Sequence, residues 1–310
     1  MNFAIGAIVK NEADSLLEWI AFHRLVGIDH FYIADNVSTD ATWPILKALQ
    51  KQGLVTTFRF PTLGEKAPQL LAYKRILKMA QGKFTAVAFV DADEYITPMD
   101  NSHSIRPFLL EWFDSPHVSG VVLNWACFGS GGAVFKEPGL VIERFTRRFS
   151  AERNHNKHYK SIVRPEAVEK FLNPHMARLR EGRYLNALGQ SFTPHPDKPY
   201  GLTADLVWEP VRVNHYVVKS LEEFLVRKSP VGSAARFGKV KHERFFKAHD
   251  RNDETCEVAA KMAPAVKEEM ARLEALIADD LQPSRLQLAQ EKGERWLGRQ
   301  RDRVRRWLLR

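Results

Sequence analysis

The stretch Phe84-Thr85-Ala86-Val87-Ala88-Phe89-Val90-Asp91-Ala92-Asp93-Glu94-Tyr95 decides the fold. Its first seven residues are almost continuously apolar, with no polar alternation, and so read as a strand buried on both faces. A strand covered on both sides belongs to a sheet with helices packed above and below it. Three carboxylates follow where the strand ends. In an extended chain residues i and i+2 point the same way, so Asp91 and Asp93 converge while Ala92 turns aside. Two such carboxylates suit a hard cation, Mn²⁺ or Mg²⁺, and leave its remaining positions for water and the oxygens of a diphosphate. The plainer alternative is a solvated acidic turn capping the strand; the position behind a buried strand favours the metal.

Upstream, strand and helix alternate. Phe3–Val9 is a short apolar run, and Ser15–Val26 repeats Leu16, Leu17, Trp19, Ile20, Phe22 and Leu25 at helical spacing before Gly27. His30–Ala34 and Leu54–Phe60 read as strands, and Thr42–Lys51 and Gln69–Ala80 as helices that stop at Gly53 and Gly82. Ser38-Thr39-Asp40 offers capping oxygens ahead of the helix at 42–51, and capping is the reading taken for Asp40. This order predicts an α/β fold with a mainly parallel sheet, which binds ligands at the carboxyl ends of its strands. Two polar clusters fall at such ends: Lys10-Asn11-Glu12, and Asp35, the first polar residue after its strand. Both can bond ribose hydroxyls and a base edge. Further on, Gly120–Asn124, Leu140–Phe145 and Val211–Val218 are strand candidates, Gly129–Gly132 a flexible loop and Pro194–Pro199 a turn-rich connection, and the segments after Leu221 read as helical.

Composition narrows the function. The 310 residues carry 46 basic and 37 acidic side chains, a net +9, but residues 282–310 alone hold +6 of it. A near-neutral body argues against a nucleic-acid partner. Only Cys127 and Cys256 are present, so no disulfide framework is expected and a reducing compartment fits. The opening apolar run lacks a basic lead-in and is too short for a signal peptide, and no run approaches the roughly 18 apolar residues of a membrane span. The expected location is cytoplasmic. The tail from Pro283 to Arg310 sets Trp296 and Trp307 among arginines. It reads either as an amphipathic helix on the anionic inner face of a membrane, near a lipid-linked acceptor, or as a solvated helix packed on the body.

Taken in order, Ile8-Val9-Lys10-Asn11-Glu12, Leu17-Glu18-Trp19 with His23, Asp35-Asn36-x-Ser38-x-Asp40 and Asp91-Ala92-Asp93-Glu94-Tyr95-Ile96 resemble a family 2-type glycosyltransferase, closest to the branch shared with family 92. The resemblance covers about residues 3–255. It implies a GT-A fold over residues 1–255; beyond it the composition predicts a helical C-terminal extension over 256–310. The resemblance also implies a nucleoside diphosphate sugar donor, a divalent cation and inversion at the sugar carbon.

By that resemblance Asp91 and Asp93 are the metal and diphosphate carboxylates, and Lys10, Asn11, Glu12 and Asp35 face the nucleoside. Asn214-His215-Tyr216 is similar to the late His-Tyr segment of this branch and makes His215 a third metal ligand; without the resemblance a lone histidine is more often structural. Asn124-Trp125 with Gly129-Ser130-Gly131-Gly132 is similar to the acceptor-side segment, where Trp125 offers a ring face to a sugar, a core tryptophan being the alternative. Lys157–Pro165, with His175 beyond, supplies cations that can approach a diphosphate. Inversion also needs a carboxylate to take the acceptor proton. Glu137 and Glu143 are the first candidates and Asp205 the reserve, since the Glu-Asp pair of the better-known family 2 pattern is missing near that loop.

The reading reached is an inverting, metal-dependent glycosyltransferase that moves a hexose, with a UDP-sugar as the favoured donor, to a saccharide or glycoconjugate hydroxyl. A sugar-nucleotide nucleotidyltransferase shares the sheet and carboxylates, but it calls for a glycine-rich phosphate loop where Lys10-Asn11-Glu12-Ala13-Asp14 stands. A non-catalytic nucleotide-sugar-binding protein is the other alternative.

Overall fold

A computed structural model describes residues 1–65, 67–100, 102–228, 234 and 240–281. In chain order the elements are β1 (Phe3–Val9), α1 (Ala13–Leu25), β2 (His30–Asp35), α2 (Thr42–Lys51), β3 (Val55–Arg59), α3 (Gln69–Ala80) and β4 (Ala86–Phe89). Then come β5 (Glu94–Pro98), α4 (Arg106–Trp112), β6 (Val118–Phe128), α5 (Val141–Arg144), β7 (Arg147–Arg148) and β8 (Tyr159–Val163). The remaining elements are β9 (Val168–Phe171), β10 (Ala177–Leu179), β11 (Arg183–Leu185), β12 (Val211–Tyr216), α6 (Leu221–Glu223), α7 (Glu243–His249), β13 (Glu254–Thr255) and α8 (Ala263–Ile277).

The α/β class is as expected. β3, β2, β1 and β4 lie side by side and run parallel, with β1 pairing β2 from Ala4↔His30 to Val9↔Asp35. Beyond β4 the sheet is mixed: β8 is antiparallel to β4, β6 antiparallel to β8, β12 parallel to β6, and β5 antiparallel to β12. The uninterrupted parallel block thus belongs to the first ninety residues, while the later strands β11 and β12 each add one parallel pairing, to β6.

Every residue of β1 is buried, because helices cover both faces. Phe3, Ile5, Ala7 and Val9 join Leu16, Trp19 and Ile20 of α1 and Leu46 and Leu49 of α2, whereas Ala4 and Ile8 join Tyr73, Ile76 and Ala80 of α3. Alternate side chains of one strand serve two cores. Gly6 sits where α3 lies closest, since a Cβ there would stand 2.8 Å from the Phe89 ring and 2.9 Å from Ile76. The helix beyond residue 255 is part of the first core: α8 buries Val266, Leu273 and Ile277 there, and its Glu269 meets Arg24 of α1 at 2.7 Å.

Two expectations are corrected. Leu140–Phe145 is not a strand but contains the short helix α5, which starts where Glu18 accepts the backbone N–H groups of Val141 (2.8 Å) and Ile142 (3.2 Å). The Gly129–Gly132 loop is pinned rather than flexible: Ser130 N–H donates to Asp250 at 2.7 Å, Gly131 N–H donates to Asn252 at 2.7 Å, and a Cβ on Gly129 would strike the Arg251 carbonyl at 2.4 Å. The basic tail at 283–310 lies outside the described residues. Among the described residues no helix is long and apolar enough to cross a membrane.

His23 ties α1 to β5 from inside the core. Its Nδ1 bonds the Trp19 carbonyl at 2.8 Å and its Nε2 accepts the Ile96 N–H at 3.1 Å, so both bonds require the neutral ring. Burial pushes its pKa down from 6.5 to about 3. The unfolded chain therefore takes up a proton that the native state refuses, and this contribution, whole above about pH 6.5, is lost as the pH falls toward 3. Denaturant unfolding at a series of pH values should show a steeper acid loss for the parent than for His23→Gln, by up to about 1.4 kcal/mol per pH unit; parallel curves would refute this.

Candidate active site

Asp91 and Asp93 follow β4 and open into a cleft of about 740 Å³ at the carboxyl ends of the parallel strands. Lys10 and Glu12 after β1, Asn36 after β2, and Thr62 also line it. The two aspartates are brought together by a turn rather than by strand pleating, for Glu94 N–H bonds the Asp91 carbonyl at 3.0 Å and closes residues 91–94. Backbone strain gathers nearby: Asn11, Val37 and Lys219 have φ of 57°, 56° and 56°.

Each aspartate has its own ammonium. Asp91 accepts from Lys160 Nζ at 2.9 Å and from Gln69 Nε2 at 2.8 Å, with the Tyr73 hydroxyl at 3.4 Å. Asp93 is in contact with Lys228, and His215 Nε2 lies 3.6 Å from its Oδ2. Burial works to raise both carboxyl pKa values, yet Lys160 outweighs it for Asp91, and Lys228 followed by His215 holds Asp93 well below the usual range. Both are carboxylates at neutral pH.

Glu94 is the third acid and is not in the cleft. Its side chain is buried, Oε2 accepts the Asp91 N–H at 2.7 Å and faces Lys160 Nζ at 3.1 Å, and Oε1 has no partner. Burial raises its pKa to about 8. Lys160 lies under the turn, between Asp91 and Glu94, and its neighbouring carboxylates push its own pKa well above the ordinary lysine value despite burial.

The opposite wall is aromatic. Trp125 stands 4.3 Å from the ring of His215, 5.0 Å from His158 and 5.3 Å from His175, centre to centre. Its indole N–H has no partner. Burial brings His158 down to about 4 and His175 to about 3, so both rings are uncharged at neutral pH, each bonding a backbone carbonyl through Nδ1 at 2.8 Å. Glu223, also in the cleft, is fixed by two bonds from Arg144 at 2.8 and 3.0 Å and by the Ser220 hydroxyl. These overcome the effect of burial and lower its pKa to about 2.

The expected site residues divide. Lys10, Glu12, Asp91, Asp93, Trp125 and His215 line one cleft, with Glu12 paired to Arg227 at 2.8 Å. Asn11 is turned to the neighbouring loop, accepting the Thr39 N–H at 2.8 Å. Asp35 is buried beneath the cleft floor against Arg59 at 2.5 Å, and its neighbour Asn36 lines the cleft instead. Asp40 accepts the Thr42 N–H at 2.9 Å at the start of α2, in keeping with capping. Glu137 and Asp205 are exposed and Glu143 is bound to Lys267 at 2.6 Å; the cleft contains none of them. Sequence reading gave no site role to Lys228, Gln69, Lys219 or Glu223, although the last two follow His215 in the late His-Tyr segment.

Paired carboxylates and polar loops at the carboxyl ends of the parallel strands line a cleft where α/β sheets bind their ligands. The sequence profile of glycosyltransferase family 92 matches residues 6–195, and the chain belongs to that family. Glycosyltransferase family 92 proteins of Oryza sativa subsp. japonica and Ricinus communis are 26% identical over 193 residues and 30% identical over 187. These matches take in 61% and 57% of this chain but only 32% and 31% of those proteins, so the chain spans about a third of their length. The crystal structure of S. aureus TarS aligns with 54% of this chain and 29% of its own at 20% identity, with a TM-score of 0.36, and that slight likeness carries no weight here.

Because Glu137 and Glu143 stand outside the cleft, Glu137→Gln and Glu143→Gln should each leave the rate of sugar transfer within about twofold of the parent. A loss of about a hundredfold or more in either would restore that residue as the carboxylate that takes the acceptor proton.

Proposed function

We propose that the chain is an inverting glycosyltransferase that takes a hexose from a nucleoside diphosphate sugar, with a UDP-sugar as donor, to a hydroxyl of a saccharide or glycoconjugate. The observation that carries this reading is the pair Asp91 and Asp93 opening beside Lys10, Glu12 and Asn36 into one cleft. Membership of glycosyltransferase family 92 supports it. The nucleotidyltransferase reading loses ground because the turn after β1, Lys10-Asn11-Glu12, has no glycine-rich phosphate cradle.

The donor set suits a divalent cation. Two ionised carboxylates and an imidazole are gathered here, and Lys228 holds Asp93 where a cation would stand. Among the described residues no three His, Cys, Asp or Glu side chains gather closely enough to cage one. We therefore read the cation as held by Asp91 and Asp93, with His215 beside them and the diphosphate completing its coordination; Mn²⁺ or Mg²⁺ fits. When bound, such a cation supplies positive charge where the departing diphosphate gathers negative charge.

The remaining steps belong to the chain's own residues. Glu12 and Asn36 take the nucleoside end, with Lys10 near the phosphates. Trp125 and the neutral rings of His158 and His175 form the acceptor wall, where an apolar ring face meets a sugar and the imidazoles accept from its hydroxyls. That wall favours an uncharged saccharide over a phosphorylated one. Contact of the tail at 283–310 with an anionic membrane would bring a lipid-linked acceptor within reach.

Asp93→Asn should abolish sugar transfer and Mn²⁺-dependent binding of the donor while the melting temperature stays within a few degrees of the parent; unchanged turnover of the purified variant would defeat the metal assignment. Removal of residues 283–310 should reduce sedimentation with phosphatidylserine vesicles more than it reduces transfer to a soluble acceptor. Equal sedimentation before and after removal would end the membrane reading.

A further inference from the structure

The two ammoniums at the site are not equivalent. Lys160 projects from β8, inside the sheet, and its side chain is 2% exposed. It is shared by Asp91 at 2.9 Å and Glu94 at 3.1 Å. Withdrawing it would leave the Asp91 carboxylate without its ammonium and the fully buried Glu94 side chain without its partner, so it is a fixed part of the turn. Lys228 is the last residue of a single π-helical turn, Phe224–Lys228, outside the sheet. Its side chain is 21% exposed and lines the cleft, where it bonds Asp93 and the Val217 carbonyl. A lysine ammonium on a flexible stem with one open side can change partners; one enclosed by two acids cannot.

Charge decides what that freedom is for. Asp91 and Asp93 are balanced by Lys160 and Lys228, and Glu94, raised to about 8, adds little negative charge at neutral pH. A divalent cation entering this balanced site meets Lys228 as a rival for the same carboxylate, and the site is left with excess positive charge that only an anion can remove. Two other cations that line the cleft are less free: Arg227 is bound to Glu12 at 2.8 Å, and Lys219 lies buried against Ser15.

We propose that Lys228 is a donor-binding residue that exchanges partners: it neutralises Asp93 while the cleft holds no donor, and transfers its ammonium to the donor's diphosphate when a divalent cation takes Asp93. The proposal rests on the nucleotide-sugar reading given above. Lys228 thereby opposes the metal by itself and supports the metal–nucleotide pair, so cation and donor bind together far better than either binds alone.

The test is a pair of affinities on the full chain: Mn²⁺ alone, from the electron paramagnetic resonance signal of the free ion, and uridine diphosphate at saturating Mn²⁺, by calorimetry. Guanosine and thymidine diphosphates serve as probes if the uridine form does not bind. Lys228→Met should tighten Mn²⁺ by about tenfold and weaken the nucleotide by about tenfold, a change of opposite sign in the two measurements. Lys228→Arg, which keeps the charge, should stay within about twofold of the parent in both. If Lys228→Met does not fold, Lys228→Gln takes its place with the same expected signs. Mn²⁺ affinity that is unchanged or weaker, or nucleotide affinity that is unchanged, overturns the exchange while leaving the donor reading intact. A parent protein that binds none of the three nucleotides with Mn²⁺ overturns the donor reading and the exchange with it.

Discussion

Three acids within four residues, at the end of a strand buried on both faces, present a charge that this protein must neutralise before it can fold. Its solution is uneven. Glu94 goes inward, bonds the turn backbone and is driven toward its neutral form; Asp91 is matched by an enclosed lysine; Asp93 is matched by a lysine that reaches in from the cleft. Lys160 pairs with both the Asp91 carboxylate and the buried Glu94 side chain, so its placement constrains the turn alongside the packing of the core. The turn in turn fixes where the two open acids stand.

The sheet delivers the partners through register. β12 pairs antiparallel with β5 so that His215 lies opposite Glu94, and it pairs parallel with β6 so that Val213 lies opposite Trp125. β8 pairs with β6 so that Leu123 lies opposite Lys160. A slip of one residue in any of these ladders would turn His215 or Lys160 to the other face of the sheet. The core of aromatic and branched residues around Trp19, Phe22 and Tyr95 prevents that slip, and the Trp19 indole adds a 2.8 Å bond to the Glu94 carbonyl at the start of β5. Packing far from the cleft therefore sets the spacing within it.

The same distinction explains what could be read in the residues alone. The first four strands and three helices are local: their periodicity and stop glycines mark them within a residue or two, and Gln69–Ala80 and Thr42–Lys51 match to the residue. Leu140–Phe145 fails because four of its six residues are buried apolar ones, a pattern compatible with either state, and the deciding partner, Glu18, lies more than 120 positions away. The glycine loop looks free for the same reason, since Asp250 and Asn252 hold it from a distant part of the chain. Asp91 and Asp93 are legible because their spacing is itself the signal. Asp35, equally polar and equally well placed at a strand end, is claimed by Arg59, a pairing that only the β2–β3 ladder brings about, with Asp35 opposite Arg59.

The cleft that results has two electrical characters. Around Asp93 the contacts are ionic: its carboxylate meets Lys228, and His215 Nε2 lies 3.6 Å away. Around Trp125 the imidazoles of His158 and His175 are held neutral by burial and anchored through Nδ1 to backbone carbonyls. His215 belongs to both, its ring tilted 4.3 Å from that of Trp125, centre to centre, while its Nε2 faces Asp93. Burial also lowers its pKa, although Asp93 works against that effect. The cleft thus offers charge at one end and uncharged ring surface at the other, and His215 stands at the boundary, so any ligand that fills it must present a charged part and an uncharged part side by side.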